Sequence, residues 1–231
     1  MKHTIRAASA LAFATLIAAG CGGGGGGDDE PPPPSGPYDV AAAWRNSQTT
    51  AHGYTVSGNV GGQTLTLAVQ ATPAGASTYP RTGASANRVD LSATARLGSG
   101  TPATTTASIY YTGTANLIGY TTDGVCGDVT TLLPLPNNAS IGQGGTLYSM
   151  TTYSDCTPGG STVVGTTAAT WSIEVDANVV LFCVSTADSE SGTLLLTTKE
   201  CLEIGQNGAL RDRARVTITV PGESPIVLYS D

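Results

Sequence analysis

The side chains of this sequence that are equipped for chemistry are few. Arg211, Arg213 and Arg215 alternate in LRDRARV. On an extended segment they share one face, and a row of guanidiniums can hold an anionic ligand or polymer. The plainer reading is a solvated face paired with Glu200 and Glu203 on the preceding segment, since opposite charges across strands are worth up to ~1 kcal/mol. Asp123 and Asp128 flank Cys126, and Asp155 precedes Cys156. If those two cysteines are bonded, the three acids gather in one loop region, where carboxylate oxygens could take Ca²⁺. No D-x-D-x-D-G loop accompanies them, so turn aspartates that cap local amides are the alternative.

Catalysis has little to build on. A hydrolase needs a nucleophile, a base and an orienting group. Outside the first few residues the sole imidazole is His52, beside Gly53, where it reads as a solvated surface histidine. No serine stands in a G-x-S-x-G elbow. The nine tyrosines, among them Tyr110, Tyr111, Tyr120, Tyr148 and Tyr153, could stack on sugars from an exposed sheet or close the edge of a core. The expectation is a protein that is not an enzyme and carries no cofactor.

The cysteines say more. Besides Cys21 there are Cys126, Cys156, Cys183 and Cys201. Four in an exported domain suggest two disulfides, with three possible connectivities. Cys183 and Cys201 lie on VVLFCV and TKECLEI, symmetric about Gly192 in a polar turn, so a hairpin there would bring them face to face. Cys126 then pairs with Cys156 by elimination. No pair has CxxC spacing and His52 is far off, so the thiols are not read as a metal site.

The elements that must position these residues are strands. Thr, Ser, Val and Tyr dominate, and turn residues interrupt the chain about every ten residues. HGYTVSGNV and QTLTLAVQ flank Gly61-Gly62, a hairpin signal. In TWSIEVD, Trp171, Ile173 and Val175 point one way and Ser172, Glu174 and Asp176 the other, as in a half-buried antiparallel strand. The one helical signal is VAAAWRN, capped by Asp39, with Val40, Ala43 and Trp44 on its inner face. The expected fold is all-β: about eleven strands in an antiparallel meander that closes as a barrel or folds as a two-sheet sandwich, with one short N-terminal helix.

The N-terminal segment reads MKHTIRAASALAFATLIAAGC. Lys2 and Arg6 start it, and an uncharged apolar run from Ala7 to Ala19 follows, too short for the ~20 residues of a spanning helix. Ala18, Ala19 and Gly20 before Cys21 resemble the lipobox of bacterial lipoproteins. The resemblance implies cleavage before Cys21, lipid on that cysteine and, with Gly22 rather than Asp next, the outer membrane of the cell envelope. Residues 1–20 are then a signal peptide and 21–37 a lipidated, Gly/Pro-rich tether spanning roughly 20 Å or more. Residues 38–231 form a single all-β domain. Without Lys2 and Arg6, 8 of the 10 basic residues remain against 17 acidic ones, a net charge of −9. That balance argues against nucleic acid and anionic lipid heads as partners.

A further pattern runs through Leu135-Pro136, Ile141-Gly142, Gly145-Thr146-Leu147, Tyr153-Ser154-Asp155, Gly165-Thr166 and Trp171. It resembles one found in uncharacterised exported β-rich lipoproteins of Gram-negative bacteria. The resemblance implies fold and address and carries no activity. The expected partners are the membrane, through lipid on Cys21, and a cell-envelope polymer or protein. The leading expectation is a non-catalytic binding or structural domain. A small barrel around an apolar ligand comes second, and would need inward residues too small to fill it. A hydrolase comes third.

Overall fold

The computed structural model describes residues 35–159 and 161–230; Cys21, the signal peptide and all but the end of the tether lie outside them. One helix, α1 (Val40–Thr49), precedes twelve strands: β1 (His52–Val60), β2 (Gln63–Thr78), β3 (Ser85–Leu97), β4 (Ala103–Tyr111), β5 (Leu117–Thr122), β6 (Val125–Leu132), β7 (Gly144–Tyr153), β8 (Val163–Asp176), β9 (Val179–Glu190), β10 (Thr193–Ile204), β11 (Leu210–Thr219) and β12 (Ile226–Tyr229). Each pairs antiparallel with its neighbour in sequence, and β12 returns to β1 through Ser57 opposite Tyr229, closing a barrel. The expected count of about eleven falls one short. An antiparallel meander closes antiparallel only on an even number of strands.

Two local features escape the pattern of turn residues. β2 runs on through Pro73 and Gly75 because the chain takes a bulge there and keeps pairing with β3 to Ser85. In the β9–β10 hairpin the turn is centred between Ser191 and Gly192, with Glu190 opposite Thr193. A bulge between Leu194 and Leu196 then shifts the register by one residue, which sets Cys183 directly across from Cys201.

Period-two alternation sorts the walls. On β3, Val89, Leu91, Ala93 and Ala95 face in, while Arg88, Asp90 and Thr94 face out. α1 covers the barrel end that carries the β6–β7 and β10–β11 loops. Asp39 accepts a hydrogen bond from the Ala42 amide at 2.8 Å and caps the helix. Its entry is pinned by Tyr38 and Ala139, which exchange backbone hydrogen bonds, and by the Asp39 amide donating to Gln206 O. Gly208 meets the first turn so closely that a Cβ there would stand 2.5 Å from Ala43 N and Asp39 O. Val40 and Ala43 are fully buried, and Trp44 packs on Tyr148 with ring centres 6.2 Å apart.

Two apolar clusters dominate the interior, and a smaller third joins Ala71, Val89 and Leu91 to Tyr111 and Ala115. One joins the helix to β7–β9 through Leu147, Trp171, Ile173 and Phe182. The other lies between β1–β3 and β10–β12, around Val56, Leu67, Val216 and Leu228. About eight strands make a barrel that side chains just fill. Twelve enclose more, and the two clusters leave a space between them.

Candidate functional site

That space is a lumen of about 270 Å³. Its walls come from β1–β5 and β7–β11, with Leu67, Val69, Ala107, Ile109, Met150 and Val216 among the apolar positions. Two carboxylates enter it. Glu200 accepts a hydrogen bond from the Tyr54 hydroxyl at 2.7 Å, and Asp188 one from the Thr167 hydroxyl at 2.6 Å. Glu200 lies opposite Val184, four residues before Asp188 on β9. The two Cα positions are thus about 13 Å apart along the wall, and the acids serve as separate acceptors.

The lumen perturbs its titratable groups. Burial raises Asp188, partly countered by the Thr167 hydroxyl. Burial, then the charge of Glu200 and the bond to it, push Tyr54 well above its ordinary value. Burial chiefly raises Tyr120 and Tyr148 as well. Tyr120 shares a hydrogen bond with Thr152 at 3.2 Å and lies close against Gly127, where a Cβ would stand 2.1 Å from its ring. Tyr148 is only 7 % exposed, and among the described residues its hydroxyl has no hydrogen-bond partner. Thr105 Oγ1, also on the lumen wall, is buried and unpartnered.

Of the residues singled out in the sequence, Tyr120, Tyr148 and Glu200 line the lumen, while the bonded cysteines, the arginines and the three aspartates lie on the outer wall and its loops. Cys183–Cys201 and Cys126–Cys156 are both bonded. Cys183–Cys201 faces outward, because Phe182 and Leu202 take the inward phase. Beside it Arg215 pairs with Glu174 at 2.6 Å and Asp176 at 2.9 Å, and Lys199 also pairs with Glu174. Burial pushes the Glu174 carboxyl up, but Lys199, Ser172 and Arg215 outweigh it and hold it low. Arg211 pairs with Glu203 at 3.4 Å, while Arg213 is exposed and has no ion pair among the described residues. Glu200 does not join the arginines, because it is three residues from Glu203 and therefore on the opposite face.

Of the three aspartates near the Cys126–Cys156 bond, Asp128 and Asp155 are occupied locally. Asp128 accepts from Tyr79 at 2.7 Å and Arg81 at 2.7 Å; Arg81 also reaches Ser161 and lies over the Tyr153 ring. Asp155 accepts from the Thr157 amide, which holds its carboxyl below the ordinary value. Asp123 sits in the β5–β6 turn with φ of 45°. The one set of three ligand-type side chains that converges among the described residues is Glu174 with Cys183 and Cys201. The disulfide has already spent both of those sulfurs. His52 Nδ1 sits 2.9 Å from Thr50 O at the start of β1.

The lumen acids were legible as an anomaly. Asp188 and Glu200 stand in the same phase of their strands as Val180, Phe182, Leu202 and Ile204, which is the apolar phase. A search for motifs passes over that signal, because neither acid belongs to one. The chain matches no protein-family model, no curated protein and no solved structure.

Proposed function

We propose that this chain is an envelope lipoprotein, anchored by lipid on Cys21, whose barrel binds a small ligand in its lumen without transforming it. The lumen carries the reading: an apolar-walled cavity of about 270 Å³ with a few convergent polar groups, near the lower end of the ~300–1,000 Å³ usual for ligand sites. Its two acids rise from Cα positions about 13 Å apart along the wall, each held by its own hydroxyl donor. The outward positions carry threonines and charged pairs such as Arg88–Asp90, the inverse of the apolar band that a barrel turns to lipid. A lipid on Cys21 would supply the attachment instead.

Two measurements test this. Native mass spectrometry of protein taken from the envelope should reveal a bound small molecule, lost in an Ala107→Phe variant that fills the lumen and still melts cooperatively. Identical masses for the two proteins, apart from the substitution, would overturn the binding reading. For the anchor, Cys21→Ser should leave an unprocessed or soluble chain. If it still fractionates with membranes after a high-salt wash, the lipid reading is wrong.

A further inference from the structure

We infer that the lumen takes a small organic cation, an ammonium group on an apolar body, with one of the two acids, Asp188 or Glu200, as its acceptor. The inference rests on the reading of the lumen as a binding site and names the ligand's chemistry. The lining contains two carboxylates and no Lys, Arg or His. Each carboxylate accepts a single side-chain hydrogen bond from a neutral hydroxyl, whereas a carboxylate has about four acceptor sites. The nearby cations are turned away: Lys199 and Arg215 lie on the outer face and are committed to Glu174 and Asp176.

Two half-buried carboxylates with one neutral hydroxyl donor each leave a negative potential in the lumen that a cation would satisfy. Tyr148, more than nine-tenths buried with a free hydroxyl, and the unpartnered Thr105 Oγ1 add unused polar capacity on the same wall. The faces of Tyr54, Tyr120 and Tyr148 can add cation–π attraction. A metal ion fits less well. It needs several oxygens converging on one point, and these acids stand about 13 Å apart along the strands. The apolar stretch between them, including Val69, Ile109 and Val216, suits the hydrocarbon of an amine.

The test uses three probes of equal length: hexylamine, 1-hexanol and hexanoate. The full chain in phosphatidylcholine nanodiscs is titrated by calorimetry, with empty nanodiscs as the reference. Hexylamine should bind at least about tenfold more tightly than hexanol, with hexanoate weakest, because charge-assisted hydrogen bonds form to the amine alone. Asp188→Asn and Glu200→Gln keep the side-chain shapes. One of the two should weaken hexylamine about tenfold and the other less, both should leave hexanol unchanged, and hexylamine binding unaltered by either variant would overturn the inference. Hexanol or hexanoate binding as tightly as hexylamine would overturn the inference while leaving the lumen as a binding site. If none of the three probes binds, the lumen reading falls and the inference with it.

Discussion

The two disulfides close loops that do not overlap in sequence, with separations of 18 residues for Cys183–Cys201 and 30 for Cys126–Cys156. In the chain-entropy account, a cross-link stabilises by restricting the unfolded chain, and the effect grows with the logarithm of loop length. It gives about 3.2 kcal/mol for the shorter loop and about 3.6 kcal/mol for the longer. Replacing Cys183 and Cys201 by alanine should therefore lower the melting temperature by roughly 6–13 °C in a domain of this size, and replacing Cys126 and Cys156 slightly more. Because the loops are separate and lie on different strands, the losses should add to about 7 kcal/mol. That is comparable with the whole stability of many domains, about 5–15 kcal/mol. Urea unfolding of the full chain, followed by the fluorescence of Trp44 and Trp171, measures each loss without reductant. A loss under about 1 kcal/mol for either pair would refute the loop argument. So would a combined loss no larger than one single loss.

Three further outcomes follow from the same geometry. Burial raises Asp188 above its ordinary value of 3.8, so the native state holds that proton more firmly than the unfolded chain. Stability from this group is present at low pH and lost as pH rises from the ordinary value to the raised one. Asp188→Asn should remove the fall, making the variant relatively more stable at pH 7 than at pH 3 in paired melting curves; a constant difference would refute this. Gly127→Ala should drive the Tyr120 ring off the wall and into the lumen, costing ~1–3 kcal/mol by overpacking and weakening any lumen ligand, both readable by urea unfolding and calorimetry. Arg81→Ala removes the contacts to Asp128, Ser161 and Tyr153 that hold the 154–162 loop. It should speed proteolytic cutting there while the barrel stays intact, and an unchanged cleavage map would show that the disulfide alone secures the loop.

The architecture could be read from alternation because each strand buries one face against a single interior. Trp171, Ile173 and Val175 declared their side of β8 without any partner being known. Closure could not be read, since it depends on β12, where a single registered pair joins Ser57 to Tyr229. The cysteine pairing was accessible through symmetry about Gly192, though the bulge between Leu194 and Leu196 decides that register. The lumen was hidden for a different reason. Its residues come from ten strands, and no local window contains Tyr54, Tyr148, Asp188 and Glu200 together. What a window does contain is a carboxylate in an apolar phase, which has meaning only once the phase is known to face inward.

The distribution of stabilising devices connects the fold to its site. A barrel whose interior is not filled forgoes burial that a packed core would provide, and two half-buried carboxylates with one hydroxyl donor each add to the cost. The compensation lies on the outer wall. Cys183–Cys201 sits beside the Glu174, Asp176, Lys199 and Arg215 network, while Cys126–Cys156 sits beside the clasp of Tyr79, Arg81, Asp128 and Tyr153. On the far side of the wall from the lumen, these groups brace the strands without occupying the cavity. Helix α1 closes one end with apolar side chains, Val40 and Ala43. The apolar-walled lumen thereby keeps a few polar groups with few partners of their own, the arrangement expected where those partners are to arrive with a ligand.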